Sequence, residues 1–320
     1  MNNNGQIRVG VIGVGHLGQF HVQKYVELCQ VDLVGVADLD FARAQEIAAR
    51  NGTKAYASVT ELLLRVDAVS IAVPTVDHFA VASQALNAGL HVLLEKPISA
   101  TIEEGRKLVA LAAKQHLVFQ VGHLERFNPV FVAASKKITQ PRFIEVHRLS
   151  PFTFRSIDVD VVLDLMIHDL DLVLSLVKSP IREIFAVGVP VLSQQVDIAN
   201  VRVHFVNGAV CNLTASRVSL QKERKIRLFQ PDAYFSLDLA NFSLVRCERK
   251  EFDYSSPIPQ LDYQKKEFPR ADSLKSEIES FVNAVRDGTP PVISGVDALV
   301  AMEAACQIKE KIAQLQGQLS

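Results

Sequence analysis

The sequence predicts a two-domain α/β protein, with a doubly wound parallel sheet in the N-terminal domain and an antiparallel or mixed sheet in a C-terminal α+β domain. Three observations carry this. The chain has 320 residues, beyond the size at which a single core keeps growing, so two domains are expected. Through residue 121, short Val- and Ile-rich runs alternate with helical patterns, as a parallel sheet with crossover helices requires. From residue 122 on, short β patterns follow one another across turn signals instead. The domains read as 1–121 and 122–320, with the closing helices free to pack back on the first.

In the first domain the strands fall at 7–12, 33–37, 68–73, 91–94 and 117–121. All are apolar throughout, as strands buried on both faces are. Helices fall at 41–50, 80–88 and 102–114; Asn87-Ala-Gly89 reads as a helix stop, and Thr101 with Glu104 as a capping box. In the second domain an apolar helix over 159–177 precedes strands at 183–191, 199–205, 209–216, 225–229, 234–239 and 243–248, and 143–149 is a further strand. Asn207-Gly208 lies between two alternating segments and signals a hairpin. Helices at 275–286 and 296–315 close the chain, with Pro290-Pro291 between them.

Charge is balanced, with 34 Lys plus Arg against 35 Asp plus Glu. No long-range field attracts a nucleic acid or an anionic membrane. The 48% hydrophobic content is ordinary for a globular protein, and no apolar run reaches the ~18 to 20 residues of a membrane span. Met-Asn-Asn-Asn-Gly runs into the first β pattern without the basic and apolar regions of a secretory signal. Cys29, Cys211, Cys247 and Cys306 are scattered, with neither zinc spacing nor a disulfide framework. A soluble, cytoplasmic protein with reduced thiols and no metal is expected.

Gly13-Val-Gly15-His16-Leu17-Gly18 follows the first strand and opens a helical pattern, with Asp38 at the end of the next strand. In that context the glycines permit a tight turn at Gly13, backbone approach to a diphosphate at Gly15 and close packing of helix on strand at Gly18. The diphosphate would rest on the helix N-terminus, beside His16 and Leu17. Asp38 would accept from the ribose hydroxyls of NAD and repel the 2′-phosphate of NADP, with Arg43 the only nearby cation to soften this. The plainer alternative is that the glycines only shape a turn and Asp38 caps the next helix.

Glu95-Lys96-Pro97 ends a buried strand, where doubly wound sheets bind ligands. Lys96 either pairs with Glu95 to close the strand or presents its ammonium to a reacting hydroxyl. Between 158 and 178, stepping about 100° per residue places Asp160, Asp164, His168, Asp171 and Ser175 on one helical stripe. Such a stripe is either a solvated face or a set of catalytic groups; Asp164 four residues before His168 makes an acid and base pair. Asp169, off the stripe among Leu and Ile, reads as a buried structural hydrogen bond.

In order along the chain, Gly13-x-Gly15-x-x-Gly18-x-x-His21, Pro74-x-x-x-His78, Glu95-Lys96-Pro97, Gly122-His123-Leu-Glu-Arg126-Phe-Asn128-Pro129 and Asp164-x-x-x-His168-Asp169 resemble the glucose-fructose oxidoreductase and inositol dehydrogenase family, Gfo/Idh/MocA. The resemblance covers nearly the whole chain. It implies a Rossmann domain that binds NAD, then a domain with a large open, mostly antiparallel sheet that commonly builds dimers or tetramers. It also implies a cis bond before Pro97. By position it makes His168 the general base, Lys96 the polariser and proton relay, and Asp164 an orienter of substrate and His168. Pro74, His78, Glu95 and Lys96 fall with the cofactor, and His123, Arg126 and Asn128 with the substrate. Met166 stands where many members have glycine, which bears on pocket shape. The motif around Arg126 and the basic stretch 217–227 resemble the branch acting on nucleotide-linked amino sugars, including oxidation at C3 of UDP-N-acetylglucosamine. Arg126 is the leading candidate to grip a diphosphate, ahead of Arg217, Arg224 and Arg227. A free polyol or monosaccharide substrate is the alternative, and a non-catalytic NAD-binding sensor or assembly subunit is the alternative of another class.

Overall fold

A computed structural model describes residues 5–153, 159–250 and 261–319. The chain forms two compact units. The first runs to Leu124 and takes in Asp272–Val300; the second comprises Glu125–Ala271 and the chain from Ala301 on.

The first unit holds β1 (Ile7–Ile12), α1 (Gly18–Val26), β2 (Val31–Ala37), α2 (Phe41–Arg50), β3 (Lys54–Tyr56), α3 (Val59–Leu63), β4 (Ala68–Ile71), α4 (Thr75–Asn87), β5 (His91–Glu95), α5 (Ile102–Lys114) and β6 (Phe119–Gly122). The strands pair in parallel in the order β3-β2-β1-β4-β5-β6. This is the doubly wound arrangement, with its reversal between β1 and β4. Every residue of β4 and β6 is buried, as helices on both faces of a parallel sheet demand. The Thr101 and Glu104 capping box opens α5 as expected, and Gly89, with φ +76, follows α4. The sequence reading omits β3 and α3, three and five residues long, too short for a period to declare itself.

In the second unit α6 (Pro129–Ser135) and β7 (Phe143–Leu149) precede a π-helical turn, Val162–Met166, which runs into α7 (Ile167–Val177). Then come β8 (Ile181–Val189), β9 (Ile198–Phe205), β10 (Val210–Ser216), β11 (Glu223–Gln230), β12 (Ala233–Asp238), β13 (Ser243–Arg249) and β14 (Leu261–Glu267). Their sheet has the order β14-β13-β12-β11-β7-β10-β9-β8, antiparallel except where β7 meets β10. β7 and β12 alternate strictly between buried and half-buried residues. One face of the sheet therefore packs on a core that includes Leu170 and Val173 of α7, and the other stays open. Gly208, with φ +84, makes the β9–β10 turn that Asn207-Gly208 predicts.

Three expectations change here. Strand β8 ends two residues earlier than the 183–191 reading, because the N–H groups of Val191, Leu192 and Ser193 turn to the Asp197 carboxylate. β14 has almost no buried face and so carries no alternation to read. The 159–177 helix opens with a π turn, in which each residue advances about 80°, so a stripe drawn at a uniform step does not hold through Val162–Met166. The helices α8 (Ser273–Asp287) and α9 (Gly295–Leu319) follow; Ile278 and Phe281 of α8 lie in the core of the first unit, and Ala305 and Ile308 of α9 in that of the second.

Candidate active site

The crevice beyond the carboxyl ends of β1 and β4 is where a sheet of this order binds dinucleotides. Gly13 has φ +81, and a Cβ on it would stand 2.8 Å from the Ala72 carbonyl carbon. A Cβ on Gly18 would stand 1.8 Å from the Gly13 oxygen. The fold thus requires both glycines. Gly15 differs: its Cβ would meet only an Arg43 guanidinium nitrogen at 3.9 Å, so the approach to the start of α1 stays clear for a diphosphate. His16 and Leu17 are exposed on this turn, as is Pro74 before α4.

Asp38, at the end of β2, accepts from the Val14 N–H at 2.7 Å and the Asp40 N–H at 2.9 Å. Both bonds orient its carboxylate and leave lone pairs for ribose hydroxyls. The capping role belongs to Asp40, whose side chain accepts from the Arg43 N–H at the start of α2. Arg43 also pairs with Asp40, at 3.4 Å.

Glu95 and Lys96 end β5, and the Lys96–Pro97 bond is cis. The Glu95 carboxylate meets His21 Nε2 at 3.0 Å and the Lys96 N–H at 3.3 Å. Burial alone would raise its proton affinity; the hydrogen bond from His21, with the Lys96 N–H and the Lys96 charge, instead holds it below the usual carboxylate range. His78, read from the motif as lying with the cofactor, is 1% exposed. Its Nδ1 faces the Pro97 carbonyl at 2.7 Å and its Nε2 the Val73 carbonyl at 3.0 Å. Its ring therefore ties the end of β4 to the cis turn from inside the protein. Burial lowers its proton affinity against the pull of the two carbonyls, which keeps it neutral. His123 is likewise buried.

The second unit sorts the polar stripe. Asp160 accepts from the Val162 and Leu163 N–H groups and pairs with Lys309 at 2.8 Å. Asp171 takes a two-pronged grip from Arg126, at 2.7 and 2.8 Å, and the Ser175 hydroxyl donates to the Leu172 carbonyl. Asp164 and His168 are the half-buried acid and base of the set. Asp169 is clasped by Arg148 at 2.8 Å through both oxygens, the structural role its apolar neighbours suggested. Burial alone would lower the proton affinity of the Arg148 guanidinium, but Asp169 and Glu125 more than reverse this. Two buried arginine forks thus fix the start of α7 directly after His168. Met166 is fully buried in the core, so its bulk is spent there.

Each diphosphate candidate has an acidic partner within the fold. The Arg126 side chain is 12% exposed and committed to Asp171, and Asn128 caps α6 with its Oδ1 while donating to the Leu239 carbonyl. Arg217 is buried against Asp197 and donates to the Val159 carbonyl. Only Arg224 and Arg227 keep substantial exposure, paired with Glu125 and Glu145.

Residues 7–123 match the oxidoreductase family with an NAD-binding Rossmann fold, and residues 133–233 match the GFO/IDH/MocA C-terminal domain. The chain is 41% identical to UDP-N-acetylglucosamine 3-dehydrogenase of Acidithiobacillus ferrooxidans, over 95% of its length and 96% of the relative. It belongs to the GFO/IDH/MocA oxidoreductase family. A solved structure of that dehydrogenase matches with a TM-score of 0.89 at 40% identity, covering 96% of this chain and 97% of the other. The scyllo-inositol 2-dehydrogenase (NAD(+)) of Bacillus subtilis is 26% identical over 93% of this chain and 92% of the relative.

For a member of this family the glycine cradle fits a nicotinamide dinucleotide, which when bound supplies the hydride donor or acceptor. The sequence reading did not place His21, Ser70 and Tyr25 at the site. The His21 ring stands 3.2 Å from the Ser70 hydroxyl, and the Tyr25 hydroxyl 2.8 Å from the same oxygen. The available signal was their spacing: His21 and Tyr25 lie four apart on the buried face of α1.

Proposed function

We propose that this oxidoreductase moves a hydride between a secondary alcohol of a nucleotide sugar and NAD, with C3 of UDP-N-acetylglucosamine the leading substrate position. The observation that carries the reading is the 41% identity to a UDP-N-acetylglucosamine 3-dehydrogenase over 95% of the chain, against 26% to an inositol enzyme. In this reading His168 takes the hydroxyl proton, since imidazole titrates near neutrality. Asp164 orients His168 and the sugar, and Lys96 donates to the same oxygen, favouring its alkoxide character. Gly13, Gly15, Gly18 and the first turn of α1 receive the diphosphate, and Asp38 the ribose.

NAD is favoured over NADP because the Asp38 carboxylate, held by two backbone N–H groups, repels a 2′-phosphate, while Arg43 is drawn to Asp40. Exposed Phe185, Val187 and Val189 on edge strand β8 support assembly of copies through the open sheet, which light scattering tests. No helix among the described residues is long and apolar enough to cross a membrane, and the four cysteines are free thiols, which suits a reducing cytoplasm.

A panel of UDP-sugars, free monosaccharides and inositols, read by NADH absorbance, tests the function. Turnover confined to UDP-sugars supports it. Turnover on free polyols alone replaces it with the inositol-type reading, and tight NADH binding without any turnover replaces it with a sensor or assembly subunit.

A further inference from the structure

Behind Lys96 a line of polar side chains runs into the core of the first unit. Tyr25 and His21 are each 1% exposed and Ser70 is fully buried. The line passes from the Tyr25 hydroxyl to Ser70 Oγ at 2.8 Å, from Ser70 to His21 Nδ1 at 3.2 Å, and from His21 Nε2 to Glu95 Oε1 at 3.0 Å. The other oxygen, Oε2, accepts the Lys96 N–H at 3.3 Å. Glu95 is paired in register with Gly122 on β6, and a Cβ there would come to 3.1 Å from the same Oε2. The space beside the carboxylate is therefore reserved for it.

The proton order follows from the chemistry. An ionised Glu95 only accepts, so Nε2 must carry a proton. In a neutral ring Nδ1 then presents a lone pair, Ser70 donates to it, and Tyr25 donates to Ser70. Each buried donor has an acceptor in this direction. The reverse direction would aim the Nε2 lone pair of a neutral ring at a carboxylate. Burial pushes the Tyr25 phenol upward, which keeps it a donor. At its inner end the phenol also faces the charge of the buried Glu277 carboxylate; at its outer end the line's output is the position and charge of Glu95.

We propose that His21 is a positioning residue for Lys96: through a one-way chain of donated hydrogen bonds, Tyr25 to Ser70 to His21 to Glu95, it holds an anion at the base of the lysine. That carboxylate fixes the Lys96 main chain through its N–H and gives the ammonium a counter-charge. The proposal rests on the reading of Lys96 given under the proposed function.

Two variants and one spectrum test it. His21→Phe keeps the volume and removes both nitrogens, and should lower kcat about tenfold or more, with KM for UDP-N-acetylglucosamine and Kd for NADH within about twofold. His21→Gln can accept from Ser70 and donate to Glu95, and should return kcat to within about threefold of the unsubstituted protein. Full turnover per folded molecule in His21→Phe, or no gain in His21→Gln over it, overturns the proposal. Nitrogen-15 NMR of the unsubstituted protein at neutral pH should show His21 neutral with its proton on Nε2. A ring protonated on Nδ1, alone or together with Nε2, overturns it even where the variants fail to fold. Absence of turnover by the unsubstituted protein on every sugar defeats the functional reading instead, whereas the tautomer is read without substrate.

Discussion

In the first unit the carboxylates that the sequence reading assigns to the cofactor, Asp38 and Glu95, are held by backbone N–H groups and an imidazole. In the second unit the carboxylates next to His168, Asp169 and Asp171, are each closed by an arginine fork. The difference follows from what each carboxylate must still do. One oriented by N–H donors keeps its charge and spare lone pairs for a ligand. A carboxylate locked onto a guanidinium has little left to offer and serves as a fastener. Of the six polar residues from Asp160 to Ser175, Asp160, Asp169, Asp171 and Ser175 are recognisable as fasteners by their partners, and the proposed function gives the chemistry to Asp164 and His168.

The sharpest break of this comparison is a fastener. Arg148→Ala leaves Asp169 buried without its partner and should cost about 3 to 5 kcal/mol of stability, read by denaturant unfolding; an unchanged midpoint would remove the fork from the account. Next comes chemistry: His168→Ala or Lys96→Ala should lower kcat by about 10²-fold or more with the fold and NADH affinity retained. Asp38→Asn should then narrow the preference for NAD over NADP by about tenfold, read as the ratio of kcat/KM values. The smallest effect sharpens the contrast between neighbours. Asp40→Ala removes a helix cap and should cost about 1 kcal/mol, visible in thermal melts, without a comparable change in coenzyme preference.

The glycine loop, Asp38 and the parallel sheet were legible because their signals are local: a turn, a strand and a helix start within a few residues of one another. The second unit was harder for reasons of distance. Arg126 looks like an anion binder in sequence, but the carboxylate that occupies it lies 45 residues away. Asn128 and His78 were assigned to ligands by the position of their motifs; the backbone carbonyls and N–H group that they meet within the fold are partners that no residue pattern reports. The π turn was hidden for a similar reason, since a single widened turn leaves apolar periodicity nearly intact. Asp169 was readable, because a lone acid among Leu and Ile must find a partner.

The proposed function has Lys96 and His168 serve one hydride transfer. The turnover number of the Lys96→Ala/His168→Ala double variant, beside the two single variants, tests this most directly. Groups acting as one unit lose little more together than the worse single loss, so the double variant should fall within about tenfold of it. Losses that multiply in full would mean that the two residues act in separate steps, and would contradict the account.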